Sequence, residues 1–328
     1  MEHNYKEDKS MTVVVGVLNK RGASIAADSA TTNYVGLKSS NGEIDNQEIK
    51  INNSGNKMLR LSDNMPVGVM VVNTAYILNM PWDVIIRWYR KKRGKESFPT
   101  VEAMVKDFLE FVPQQEFFIT NSIFAKWNYE TELVFSGYGK EQKYPQLIHV
   151  AIKGVQNGKL KYDPKDFEII SISDDHPSDI LYFGQIDITA TLTEDLSENE
   201  ENQDLCEGMM KIFLNKKKEL VDKGLIDKNV LILPDCYAAI KAAFNARHRN
   251  MRQKWYDTVK DYSLQEMASL AETLIKATEL HRSITFQQES VGGLVDLAVI
   301  TREDGFQWLN RKSWYEPSKG GQYGKFGI

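Results

Sequence analysis

The side chains that most often carry chemistry do not gather along this chain of 328 residues. Cys206 and Cys236 are its two cysteines, and they lack both the C-x-x-C spacing of a redox pair or zinc half-site and a histidine at ligand spacing. His149, His176, His248 and His281 are scattered without triad order or metal-ligand spacing, so they read as hydrogen-bonded structural histidines. The basic run Arg90, Lys91, Lys92 and Arg93 could hold a phosphate, yet such runs are usually the solvated end of a helix. Neither a Walker A sequence nor a glycine-rich turn between strand and helix is present, so no nucleotide site is expected. No metal and no cofactor is expected either. Hydroxyl, carboxylate and ammonium groups occur throughout, and a threonine in a strand signals nothing by itself.

Composition bounds the setting. With 42% hydrophobic, 10% aromatic and 26% charged residues, the chain reads as globular, and it is long enough to bury a substantial core. A net charge of -4 gives no overall attraction to nucleic acid or to an anionic membrane. No apolar run approaches the roughly 18 residues that would suggest a membrane span. The opening MEHNYKEDKS is polar and lacks the apolar core of a secretory signal. Two unpaired cysteines suit a reducing, cytoplasmic compartment.

The elements that must position any site follow from periodicity. Thr12 to Gly16 is a β-branched run without polar alternation, as expected of a strand buried on both faces, and a turn at Lys20 to Gly22 feeds a second run from Ala23 to Asp28. Residues 38–56 read as an inserted loop or short hairpin. Met58 to Leu61 and Pro66 to Val72 form another hairpin around Ser62-Asp63-Asn64. Ile77, Trp82, Ile85, Ile86 and Tyr89, then Val101, Met104, Val105, Phe108 and Leu109, have helical spacing, with Pro81 and Pro99 suited to first turns. The aromatic Trp82, Trp88 and Tyr89 on that spacing suit a core or a subunit contact. Strands return at 131–137, 146–154 and up to Gly184. The acidic stretch 194–204 reads as a solvated loop, and 206–280 as mostly helical. A closing strand pair covers 294–301 and 306–309. Strands and helices segregated in this way predict an α+β fold, two packed sheets with a helix pair on each outer side.

Several motifs carry a resemblance to a known family. Thr12-Val-Val-Val-Gly16, Gly22, Ala26-Ala27-Asp28-Ser29 and Lys57-Met-Leu-Arg-Leu-Ser-Asp-Asn64 look like proteasome β-subunits and the related bacterial heat-shock-locus V peptidase. Ser290-Val-Gly292-Gly293-Leu-Val-Asp296-Leu-Ala-Val-Ile300, followed by Asp304-Gly305, looks like that family's closing strands. The resemblance implies a four-layer αββα sandwich of the N-terminal-nucleophile hydrolases, with Thr12 as nucleophile, Asp28 as partner acid and Lys57 as partner lysine. Elementary chemistry agrees with those roles. A hydroxyl needs a base, and a free α-amine on the same residue, with a pKa near ~8, can be that base near neutral pH. An adjacent ammonium lowers the proton affinity of both groups, and a carboxylate fixes the ammonium. The family's oxyanion donor, a backbone N–H, falls at Val71 or Val72. Its supporting Asp and Ser fall at Gln288 and Val291, with Glu289 and Ser290 offering similar groups one residue away, and Gln185 after Gly184 replaces a serine.

The implied organisation is an N-terminal extension or propeptide at 1–11, one hydrolase domain at 12–310 with insertions at 38–56 and 188–235, and a loose tail at 311–328. Thr12 becomes the first residue if translation starts at Met11 or if the extension is cleaved. The implied activity is a threonine-type endopeptidase acting on polypeptides inside a homo-oligomeric ring, any unfolding ATPase being a separate chain. A catalytically inactive scaffold and a small-molecule amidase on the same fold stay open.

Overall fold

The computed structural model describes residues 12–38, 44–52, 55–122, 130–185, 187–194, 200–228, 233–284 and 291–312. Its order of elements begins with strands β1 (Val13–Asn19), β2 (Gly22–Ala27), β3 (Thr31–Lys38), β4 (Ile44–Asn52), β5 (Met58–Arg60), β6 (Val67–Asn73), β7 (Tyr76–Ile77) and β8 (Met80–Pro81). Helices α1 (Trp82–Arg93), α2 (Val101–Phe111) and α3 (Glu116–Ser122) follow. Strands β9 (Thr131–Gly137), β10 (Gln146–Ile152), β11 (Val155–Gln156), β12 (Lys159–Leu160), β13 (Glu168–Ser171) and β14 (Ser178–Gly184) come next. Helices α4 (Asp187–Glu194), α5 (Glu200–Asp222), α6 (Leu233–Val259) and α7 (Leu264–Ile284) lead to the closing β15 (Asp296–Thr301) and β16 (Gly305–Asn310).

The strands form two five-stranded sheets, ordered β14-β1-β2-β15-β16 and β13-β10-β9-β6-β5. Every pairing in them is antiparallel. The mixed fold with antiparallel sheets that the order of elements predicts is therefore present. Period-two alternation assigns the faces. Val14, Leu18, Ile25 and Ala27 of the first sheet pack with Met70, Val72, Val134 and Leu147 of the second. Val13, Val15 and Val17 point the other way, onto Met267, Ala271, Leu274 and Ile275 of α7. On the far side of the second sheet, Val69, Leu133 and Phe135 meet Trp82, Ile85, Tyr89, Met104, Val105 and Phe108. Tyr89 meets Phe108 edge-on, with ring centroids 5.1 Å apart, and each such buried side chain contributes about 1.5–3 kcal/mol.

Two glycines of the opening motif have a packing reason. A Cβ on Gly22 would lie 2.6 Å from the carbonyl oxygen of Ile300, a backbone atom that cannot swing away. One on Gly16 would lie 2.7 Å from Cδ1 of Leu147, so the bare backbone there lets the facing sheet approach.

Local expectations differ from the structure in places. The sequence at 38–56 reads as a loop or short hairpin, but β3 and β4 pair from Thr31 with Asn52 to Lys38 with Ile44, a longer ladder. The acidic stretch is not one solvated loop. Glu194 ends α4, and α5 begins at Glu200, as glutamates favour helix and acidic residues suit a helix start. Pro81 and Pro99 stand before α1 and α2 rather than in their first turns, and Thr100 caps α2 by accepting the Ala103 N–H at 3.1 Å. Among the described residues no helix is long and apolar enough to cross a membrane.

Candidate active site

The end of β2 and the start of β5 belong to different sheets, and two buried charges meet between them. Lys57 Nζ lies 2.8 Å from Asp28 Oδ1, with side-chain exposures of 8% and 0%. The same Oδ1 accepts the N–H of Val13 at 3.1 Å, and Oδ2 accepts those of Ala30 at 3.1 Å and Gly292 at 3.4 Å. An ionised carboxylate has about four acceptor positions, so one ammonium and three backbone donors hold this one in place.

Thr12 is buried and stands one residue before β1. Its carbonyl accepts the Gln185 N–H at 2.8 Å, which extends the β1–β14 ladder past the Val13–Gly184 pair. Gly184 sits at φ 91°, a left-handed conformation that suits glycine where β14 ends. The Lys57 ammonium and the peptide N–H joining Thr12 to Val13 thus share one carboxylate oxygen. Burial pulls the Lys57 ammonium below its ordinary proton affinity. The attraction of Asp28 works against that, and the positive charge of Lys312 adds to it. A cation with weakened hold on its proton, joined through the Asp28 carboxylate to the residue that follows a threonine, can lower the proton affinity of groups on that threonine.

The remaining expected residues divide. Val71 is adjacent to Lys57, but its N–H donates to the Lys57 carbonyl at 2.8 Å, and its side chain packs into the layer beneath α1 and α2. Its N–H is therefore engaged within the sheet rather than presented to a ligand. Gln288, Glu289 and Ser290 lie outside the described residues. Val291 is buried in the apolar layer against α7. The histidines have local partners: His149 Nε2 is 2.9 Å from Glu132 and its ring stacks on Phe183, and His176 Nε2 is 2.9 Å from Asp179. The side chain of His248 lies outside those described. The basic end of α1 is tied locally, Arg90 to Asp63 at 2.7 Å and Arg93 to Glu96 at 2.9 Å. A cleft of about 880 Å³ beside Trp88, Lys92, Phe117 and Asn121 touches none of the Thr12 residues.

A second buried pair stands beside the first, and no motif in the sequence marks it. Lys312 Nζ lies 3.1 Å from Asp296 Oδ2, with side chains only 6% and 3% exposed. It also donates to Ser29 Oγ at 2.6 Å, while Ser29 Oγ donates to the Leu294 carbonyl. Burial lowers the proton affinity of Lys312 as well, against the pull of Asp296 and Asp28. Lys312 belongs to the stretch expected as a loose tail, yet its N–H also holds Asp296 Oδ1 at 3.0 Å. The signal was Asp296 itself, an acid interrupting the apolar run Leu294 to Ile300, which demands a buried partner.

No family model matches the chain, and no curated protein sequence matches it. The solved structures similar to it include Anbu from Hyphomicrobium sp. strain MC1, at 14% identity and a TM-score of 0.40, covering 92% of this chain and 86% of that one. A Gly-1 mutant of the same protein gives 14% and 0.42 with the same coverage. Anbu from Yersinia bercovieri, described as an ancestral β-subunit, gives 12% and 0.41, covering 91% and 86%. The resemblance to proteasome β-subunits and the heat-shock-locus V peptidase is corrected by these findings. The similar structures are Anbu proteins at low identity, and no sequence family supports the assignment. Short motifs also match between unrelated chains, so they overstate kinship. Likenesses this remote identify no shared chemistry, and the Thr12 site stands on its own geometry.

Proposed function

We propose that this chain is a hydrolase that cleaves amide bonds of polypeptides with Thr12, as its first residue, acting as the nucleophile, on a helix–sheet–sheet–helix arrangement of layers. The observation that carries the reading is the shared oxygen of Asp28, which binds the Lys57 ammonium and the N–H of Val13 together in a buried setting. Once Thr12 is the first residue, its α-amine takes the hydroxyl proton while Oγ1 bonds to the substrate carbonyl carbon. The C–N bond breaks, the leaving amine collects that proton, and an ester remains on Thr12. Water, giving a proton to the Thr12 α-amine, attacks the ester carbon, and the acid leaves as the α-amine returns that proton to Oγ1. Lys57 keeps the α-amine neutral near pH 7 through its charge, and Asp28 holds Lys57 in place.

Exposed apolar side chains on α5, among them Ile212, Phe213 and Leu214, support assembly into a homo-oligomer that encloses these sites. A catalytically inactive scaffold is the second reading, favoured by the engagement of the Val71 N–H with Lys57. The deciding experiment is the intact mass and N-terminal sequence of the native protein, before and after an epoxyketone directed at an N-terminal hydroxyl and amine. A chain starting at Thr12 and gaining one inhibitor mass supports hydrolysis. A chain that retains residues before Thr12 and stays unmodified supports the scaffold.

A further inference from the structure

Lys312 Nζ and Ser29 Oγ, 2.6 Å apart and buried, are the kind of pair in which a lysine activates a serine. Here the geometry runs the other way. Ser29 is fully buried, its hydroxyl hydrogen goes to the Leu294 carbonyl, and Lys312 donates to it while paired with Asp296. Such a serine, its hydrogen given to a carbonyl and its oxygen held by an ammonium, is not activated as a nucleophile. The contacts join two backbone segments instead. The Ser29 N–H donates to Gly292 O at 3.0 Å, and the Gly292 N–H donates to Asp28 Oδ2. Asp296 lies opposite Ala27 in the sheet, one residue from Asp28. Lys312 thus closes a network from the end of β16 through Asp296 and Ser29 to the carboxylate that holds Lys57.

We propose that Lys312 is a positioning residue of the Thr12 site: it ties the turn at Asp28 and Ser29 to residues 292–296 and sets a second positive charge against the Asp28–Lys57 pair. The proposal rests on the reading in which Asp28 and Lys57 serve Thr12. Two buried lysines are paired with two buried aspartates, and the positive charge of Lys312 weakens the hold of Lys57 on its proton. The charges acting on Lys57 are Asp28 and Lys312, and those acting on Lys312 are Asp296 and Asp28. Losing Lys312 alone would strand Asp296 in the interior, so the informative variant neutralises both partners, Lys312→Met with Asp296→Asn. Asparagine still offers an oxygen to the Lys312 N–H position, and Ser29 still donates to Leu294.

The test is the ¹⁵N resonance of the Lys57 side-chain nitrogen through a pH titration, assigned by its loss in Lys57→Met. In the double variant the midpoint should rise by about one pH unit, because of the two removed charges that of Lys312 is the one acting on Lys57, whereas Lys312→Arg should retain the parent midpoint. Peptide hydrolysis in the same samples should lose kcat about tenfold or more with KM unchanged, and Lys312→Arg should recover it. A midpoint unmoved within about 0.2 units in the double variant would overturn the proposal. If the parent protein hydrolyses nothing while the midpoint still moves, the reading of Thr12 as nucleophile fails and the coupling of Lys312 to Lys57 stands.

Discussion

Removing either member of the Asp28–Lys57 pair should destabilise the fold, and by different amounts. In Lys57→Met the remaining carboxylate keeps three backbone N–H donors at 3.1, 3.1 and 3.4 Å and the nearby charge of Lys312. Loss of the ammonium should then cost about 1–3 kcal/mol, below the range for stranding a bare buried charge. Asp28→Ala leaves those three donors without their acceptor and the ammonium without its carboxylate. Lys57, already weak in its hold on a proton, can escape by becoming neutral, but the backbone donors cannot. That variant should cost about 3–5 kcal/mol. The double variant should be less destabilised than the sum of the two, with a coupling energy of at least about 1 kcal/mol. Guanidinium unfolding followed by tryptophan fluorescence, at one fixed protein concentration, measures all four corners of the cycle. Additivity within about 0.5 kcal/mol would refute the coupling, and a larger loss for Lys57→Met than for Asp28→Ala would refute the role given to the backbone donors.

Thr12→Ala should abolish peptide hydrolysis while leaving the oligomeric size and melting temperature within a few degrees of the parent. Full activity in that variant would reject Thr12 as nucleophile. Gly22→Ala should destabilise by about 1–3 kcal/mol, read as a lower denaturation midpoint, because its Cβ meets the carbonyl of Ile300. Lys57 has a folded pKa below its ordinary 10.5, so the unfolded chain holds the proton more tightly and the folded state gains stability as pH rises through the interval between the two values. The stability difference between the parent and Lys57→Met, measured at stepped alkaline pH, should therefore grow in the parent's favour up to about 10.5. A flat or falling difference would contradict the lowered value.

Much of the scaffold was readable from local pattern. The run of three valines at 13–15, the small residues of β2 and the apolar β6 have no polar alternation, and only strands covered on both faces bury such runs. The helical spacing from Trp82 to Leu109 likewise announced α1 and α2. Charge misled in the acidic stretch, where glutamates serve solvent and helix equally well, so composition alone could not separate the two.

For the site, sequence determined the residue types and the breaks between strands that place Asp28 after β2 and Lys57 before β5. It could not determine their partners, since a hydrogen bond between residues 29 apart, or 283 apart for Ser29 and Lys312, depends on how the two sheets and the closing strands are stacked. Packing alone decided that Val71 spends its N–H on Lys57, that Asp28 takes three backbone donors, and that Lys312 turns back onto Asp296. A buried charge must find its counter-charge wherever the fold brings one, and distance along the chain carries no information about where that is.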